Sequence, residues 1–392
     1  MLNVKYIVKS ILIKFMTQTQ LSSISANVNY YYSNLLELIR ALIRRISVIY
    51  HRGKPITLQF PIINGCNLRC KTCNVYDEKR IDISLEQINE MVNDKLFSNV
   101  KSVGINGGEP FLVSDIDKYI AALLKLPKIK NINIISNGIL TKRIIGKLKI
   151  IYTLCQENQV LLSFTTSLDG FRDVHNSIRG GKDSFDKTIA TYNEIKNNMS
   201  MYCDKLGIIC TISKHNIFHI YDLVSYFKVN EINNVSYQLA VIHHRLHNEN
   251  MPKFSVLDDK YASMMAQEFF YSKYMETNEK RYYFFYKYLV DNGYGKRMSV
   301  CNYANRDVTV DASGYLLYCA TYSKRIGHID DGEMSDIFYS KQNIEYRKQL
   351  VNDKCNSCIH YTSNNGFLNA NIEANSLLRN QYSWINKYEL KG

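Results

Sequence analysis

ITLQFPIINGCNLRCKTC, residues 56–73, decides how the rest of this 392-residue chain is read. A β-branched, apolar run at 56–62 ends in a loop that carries Cys66, Cys70 and Cys73 in a Cx3Cx2C spacing. Three thiolates on one short loop can ligate three irons of a [4Fe–4S] cube and leave the fourth iron open to another molecule. A zinc loop is the competing reading, although structural zinc sites close four ligands and usually build them from paired Cx2C units.

The strand-then-loop unit recurs downstream. Further β-branched runs occupy 100–106, 131–136, 160–168, 206–213 and 235–241, with helical stretches between them. Two of those helices open on capping signals, Ser84 with Gln87 and Ser114 with Asp117. Six β/α units in series make an α/β fold with a parallel sheet, either doubly wound or a partial (β/α)6 TIM-like barrel. In both, reactive loops lie at the carboxyl ends of the strands. GlyGlyGluPro (107–110) follows the second run, SerAsnGly (136–138) the third and SerLeuAspGly (167–170) the fourth. Each alone is a turn signal; four on one rim point to a binding site.

The flanks divide the chain into an N-terminal helical extension at 1–52, a barrel at 53–245, an aromatic-rich helical linker at 246–296, a small cluster domain at 297–362 and a tail at 363–392. In the extension, Leu35, Leu38, Ile39, Leu42, Ile46 and Ile49 share a face opposite Arg40, Arg44 and Ser47. Packing on its own domain and peripheral contact with a membrane surface are both open to such a helix. No stretch has the twenty or so uninterrupted apolar residues of a membrane span. The linker's YYFFYKY (282–288) reads as core packing, with an aromatic substrate wall as the alternative.

A net charge of +13 favours acidic partners, but no basic run interleaves with aromatics as a nucleic-acid face requires. Of ten cysteines, Cys155, Cys203 and Cys210 sit in apolar segments and read as core thiols. Metal ligation in a reducing cytoplasm accounts for the other seven better than disulfides do. The second group is Cys301 and Cys319, bracketing Gly314, followed by Cys355 and Cys358 in a Cx2C. VTVDASGYLLY (308–318) alternates like a hairpin turning at 312–314.

Across residues 55–362 these motifs, in this order, resemble the radical S-adenosylmethionine (SAM) enzymes, in the branch with a C-terminal SPASM/twitch auxiliary-cluster domain. The resemblance implies that Cys66, Cys70 and Cys73 hold a [4Fe–4S] cluster whose open iron chelates SAM. It implies that Gly107, Gly108 and Glu109 hold the SAM amino group, a charge-assisted contact for the carboxylate. Ser167 and Arg179 match positions at the ribose and the SAM carboxylate, and Asn137 matches a looser one. The family's aromatic residue before the third cysteine is Thr72 here, which shifts adenine recognition elsewhere, with 211–216 the expected region. Cys301, Cys319, Cys355 and Cys358 match the auxiliary set. No cysteine follows Cys358, so one auxiliary [4Fe–4S] cluster of the shorter twitch type is implied. A structural zinc remains the alternative for these four.

The family splits SAM reductively into methionine and a 5′-deoxyadenosyl radical that abstracts hydrogen from a C–H bond. A four-thiolate auxiliary cluster has no open iron, which suits electron transfer and a net oxidation. The one-electron donor implied is flavodoxin or ferredoxin. Peptide-modifying relatives often carry a separate leader-binding element, for which 1–52 is too short and too helical. That favours a sugar, cyclitol or glycan-linked substrate over a ribosomally made peptide. A non-enzymatic iron–sulfur or zinc carrier stays open as another class. Composition and motifs single out no general base.

Overall fold

The computed structural model describes residues 53–294, 297 and 301–360. The helical extension at 1–52, with its membrane contact, and the tail at 363–392 lie outside them. Six strands, β1 (Thr57–Pro61), β2 (Ser102–Asn106), β3 (Asn131–Ser136), β4 (Leu161–Ser167), β5 (Lys205–Ile212) and β6 (Val235–Leu239), pair in parallel in chain order. Register runs Leu58–Val103–Ile132–Leu162 across the first four. These are the six expected strands, and the open sheet is the partial barrel.

Side-chain alternation explains why this barrel encloses a cavity. Leu58, Phe60, Val103, Ile105, Ile132 and Ile134 are fully buried against the surrounding helices. The opposite faces of the same strands carry Thr57, Gln59, Ser102, Gly104, Asn106 and Asn133, small or polar residues that line the interior. The period of two thus separates a packed layer from a hollow one.

The sheet does not stop at β1. β7 (Val308–Val310) runs parallel to β1, Leu58 opposite Val308, and β8 (Tyr315–Leu317) and β9 (Gly327–His328) continue antiparallel, giving the order 9-8-7-1-2-3-4-5-6. The expected hairpin at 308–318 is therefore also an extension of the barrel sheet. Its turn is closed by Asp311 Oδ1, which accepts from the Ser313 and Tyr315 amides, with Gly314 at φ +80°. Buried Asp307 fastens the junction: its Oδ1 accepts from the Ile56 amide at 3.2 Å and the Thr57 amide at 3.1 Å.

At the far edge, β6 is covered by α1 (Lys260–Thr277) and α2 (Lys280–Val290). Tyr237 packs edge-on to Phe269 with centroids 5.0 Å apart, and Arg281 donates to Ser236 Oγ at 3.0 Å. Covering an open edge protects its unpaired backbone, and Tyr282, Tyr283, Phe284 and Phe285 are buried in doing so. Phe285 and Arg281 also reach the interior cavity, so the linker lends it part of its wall.

Ser84 and Gln87 form the expected reciprocal capping box on the helix at Leu85–Asn93. The second expected cap is not Ser114. The helix Ile116–Leu123 starts one residue later with Asp115 at the N-cap position and no side-chain cap. A 3-10 turn at Pro110–Leu112, capped by Glu109, takes up the chain before it.

Candidate active site

The cysteine loop leaves β1 and is held from three sides. Gly108 N donates to Ile63 O at 3.0 Å and Glu109 N to Gly65 O at 2.9 Å, locking it to the loop after β2. This approach needs glycine: a Cβ on Gly108 would stand 1.8 Å from Gly65 O. Arg69 N donates to Arg179 O and Lys71 N to Ile178 O, tying the loop to the helix Asp173–Arg179. The third side is the segment after β6, where Asn74 N donates to Leu246 O at 2.8 Å and Asn248 Nδ2 to Thr72 O at 2.9 Å.

Cys66, Cys70 and Cys73 all face a cavity of about 560 Å³ inside the barrel, together with Gly107, Gly108, Asn137, Ser167 and Arg179. Eight positions expected from different loops thus share one chamber, and Thr72 and Thr211 line it too.

Glu109 is placed otherwise. Its carboxylate is fully buried behind the chamber wall and accepts from Phe111 N (3.1 Å), Ser136 Oγ (2.9 Å) and Asn137 N (2.8 Å). Burial pushes it up to about pKa 7, against those three donors. Asn137 in turn donates from Nδ2 to Asn67 Oδ1 at 2.8 Å and lies 3.9 Å from Cys66 Sγ. Both residues therefore brace the rim of the chamber from within.

Arg179 is mostly buried. Its Nη2 pairs with Asp169 Oδ2 at 2.8 Å, its Nη1 lies 3.9 Å from Cys70 Sγ, and its Nε has no partner among the described residues. Burial opposes its charge, but Asp169 and Cys70 outweigh that and hold the guanidinium protonated. Asp169 was not singled out from the sequence. Its Oδ1 accepts from Thr211 N at 2.8 Å, and Asn216 Nδ2 donates to its carbonyl at 2.7 Å, so Asn216 secures the 211–216 turn from outside the chamber. Arg245, also unforeseen, lines the chamber with no acidic partner among the described residues.

The donor set fits the implied cofactor. Burial raises the thiol pKa of Cys66 and Cys73 and pushes Cys70 up to about 12, so these ligands stay protonated until metal displaces the protons. Among the described residues no three His, Cys, Asp or Glu side chains converge as one metal ion requires. The three thiols line one space, the 560 Å³ chamber.

Cys301, Cys319, Cys355 and Cys358 line a second, smaller space with Arg347 and Tyr322. Burial, then the neighbouring thiols, pushes Cys355 up to about 12. Gln59, Tyr303 and His360 border both spaces. His360 packs edge-on against buried His243 at 4.7 Å, and desolvation with Arg245 and Arg297 beside it pulls it down to about 4.

Comparison with known proteins agrees with this layout. The model of the radical SAM superfamily matches residues 60–224, and that of the SPASM iron–sulfur cluster-binding domain matches 301–359. The cysteine-type anaerobic sulfatase-maturating enzyme of Clostridium perfringens is 23 % identical over 325 residues, spanning 76 % of this chain and 84 % of that protein. The GTP 3′,8-cyclase of Clostridium acetobutylicum is 33 % identical over 96 residues, 24 % of this chain and 30 % of that protein. Two solved structures share the fold. One is anSMEcpe with bound AdoMet and a Cp18Cys peptide, at 20 % identity and TM-score 0.55 over 75 % of this chain and 82 % of that one. The other is Streptococcus suis SuiB bound to its precursor peptide SuiA, at 17 % identity and TM-score 0.54 over 78 % and 69 %.

Proposed function

We propose, for a chain that is a radical SAM enzyme with a C-terminal SPASM cluster domain, that the reacting group is a residue within a peptide or protein. The observation that carries this is a second cavity of about 680 Å³, which meets the cysteine chamber at Gly107 and Arg245. It runs between the segment after β6 (His244, His247) and the C-terminal hairpin region (Thr309, Asp311, Tyr322, Lys324). Ligand sites of this kind span roughly 300–1,000 Å³, so the inner chamber suits cluster and SAM and the outer one suits a substrate segment.

The relatives favour the same reading. The sulfatase-maturating enzyme matches over most of its length, and both structural neighbours were solved with peptides. The sugar, cyclitol or glycan-linked substrate expected from the sequence finds no support among them. That expectation rested on reading 1–52 as too short and too helical for a leader-binding element, and a peptide gripped in the outer cavity needs none.

Cluster and SAM, when bound, supply one-electron chemistry that removes hydrogen from an unactivated C–H bond. The chain contributes the thiolates of Cys66, Cys70 and Cys73, polar contacts from Ser167 and Arg179, and a chamber walled by buried strands that excludes water. Gly107 and Gly108 present close backbone to the ligand, and Glu109 with Asn137 holds that backbone rigid. The four thiolates of the second set suit electron passage and a net oxidation. No helix among the described residues is long and apolar enough to cross a membrane. A reducing cytoplasm is the compartment that suits free, metal-binding thiols such as the described cysteines, and net charge +13 suits an acidic flavodoxin or ferredoxin.

The test is anaerobic turnover of reconstituted enzyme with SAM, dithionite and host-cell extract. Release of 5′-deoxyadenosine should rise with extract and lose that rise after protease digestion. A stimulation that survives protease and disappears on glycosidase treatment refutes the peptide reading.

A further inference from the structure

Arg245 stands where the two cavities meet, lining both. Its Nη1 donates to Gly107 O at 3.3 Å and its Nε is buried without an acceptor among the described residues. Among the described residues no carboxylate pairs with it, whereas Arg179 across the chamber is matched by Asp169 at 2.8 Å. Arg245 is half-buried, and a cation set in that wall favours an electron-rich or anionic group beside it. Cys66, Cys70 and Cys73 line the same chamber wall as Arg245.

The side chain is also held in place. Around it, His243 N donates to Asn248 Oδ1 at 2.8 Å, and Asn248 donates to Thr72 O and Val241 O. Leu246 O accepts from Asn74 N, and His244 N donates to Thr321 O at 3.2 Å. The 241–248 segment is thus strapped to the first cysteine loop on one side and to the auxiliary region on the other.

We propose that Arg245 is a positioning residue for the cluster held by Cys66, Cys70 and Cys73: its charge, fixed in the wall of the same chamber, raises that cluster's reduction potential. Cluster potentials respond to nearby charge, hydrogen bonding and exposure, and a fixed cation in a low-dielectric chamber favours the more electron-rich state. The inference rests on the radical SAM assignment and is indifferent to the substrate, so a failed peptide test leaves it standing.

The experiment is an anaerobic redox titration of the full chain with both clusters loaded. The SAM-perturbable component of the reduced electron paramagnetic resonance signal is followed in the native protein, R245K and R245Q, with iron per chain as the loading check. R245Q should disfavour the reduced cluster at least tenfold, about 59 mV more negative for a one-electron couple, and R245K should recover most of that. An unchanged potential in iron-replete R245Q overturns the proposal, as does an equal shift of the auxiliary cluster. Should R245Q fail to hold iron, R245H replaces it. Relative to the native protein its potential must fall from pH 6 to pH 8 as imidazolium loses its proton, and a parallel course overturns the idea.

Discussion

Replacing Glu109 by Gln tests whether that carboxylate braces the chamber or only borders it. Oε1 serves Phe111 N and Ser136 Oγ, and Oε2 serves Asn137 N. An amide keeps one acceptor, so whichever way it is oriented one buried backbone N–H loses its partner, at about 1–3 kcal/mol. The loss depends on pH. Burial raises the folded carboxyl from 4.5 to about 7, so its protonated form contributes stability that is complete below the unfolded value and disappears as pH rises through the folded one. Gln lacks that dependence. Taking those two values, the native protein gains about 2 kcal/mol from this group on going from pH 8 to pH 5.5, and E109Q gains none. Anaerobic thermal unfolding of both proteins across that range is the assay. E109Q should melt lower everywhere, by a margin that widens toward pH 5.5. A margin independent of pH would refute the buried, high-pKa carboxylate, and equal melting at pH 5.5 would refute the bracing role.

Gly108→Ala drives a methyl into Gly65 O and opens the bonds from Gly108 N and Glu109 N; a cost of about 1–3 kcal/mol is expected, together with loss of the SAM-induced change in the cluster spectrum while auxiliary iron remains. Cys319→Ser should lower iron by about four per chain and leave the SAM-perturbable signal in place, as iron assay and spectroscopy would record. Asp307→Ala strands the Ile56 and Thr57 amides, so a loss of about 2–4 kcal/mol should depress the melting temperature of the whole barrel; a melt affecting the C-terminal region alone would contradict the shared sheet.

What the sequence disclosed followed its local rules. The six barrel strands were legible because apolar β-branched residues recur on the faces that meet the helices, and the first cysteine loop because its spacing is a local chemical pattern. Asp169 and Arg245 escaped because their roles depend on partners far along the chain: Thr211 lies 42 residues from Asp169, and Gly107 lies 138 from Arg245. Glu109 was visible as part of a motif, yet its burial behind Ser136 and Asn137 was not, since only the folded register of β2 and β3 puts those groups together. The hairpin was readable from alternation, but its pairing with β1 joins residues 250 apart, beyond any periodicity. Ser114 misled because the chain forms a 3-10 turn at Pro110–Leu112 first and the helix then starts with Asp115 at its N-cap.

The seam at Leu58–Val308 has a mechanical consequence. The first cysteine loop leaves β1, and Cys301 and Cys319 flank β7 and β8 in the same hydrogen-bonded lattice, so the interval between them is a ruler cut in backbone geometry rather than a hinge. Nature can lengthen or reshape the intervening helices without stretching that gauge, and substrates can diversify while the wiring beneath them stays at constant span.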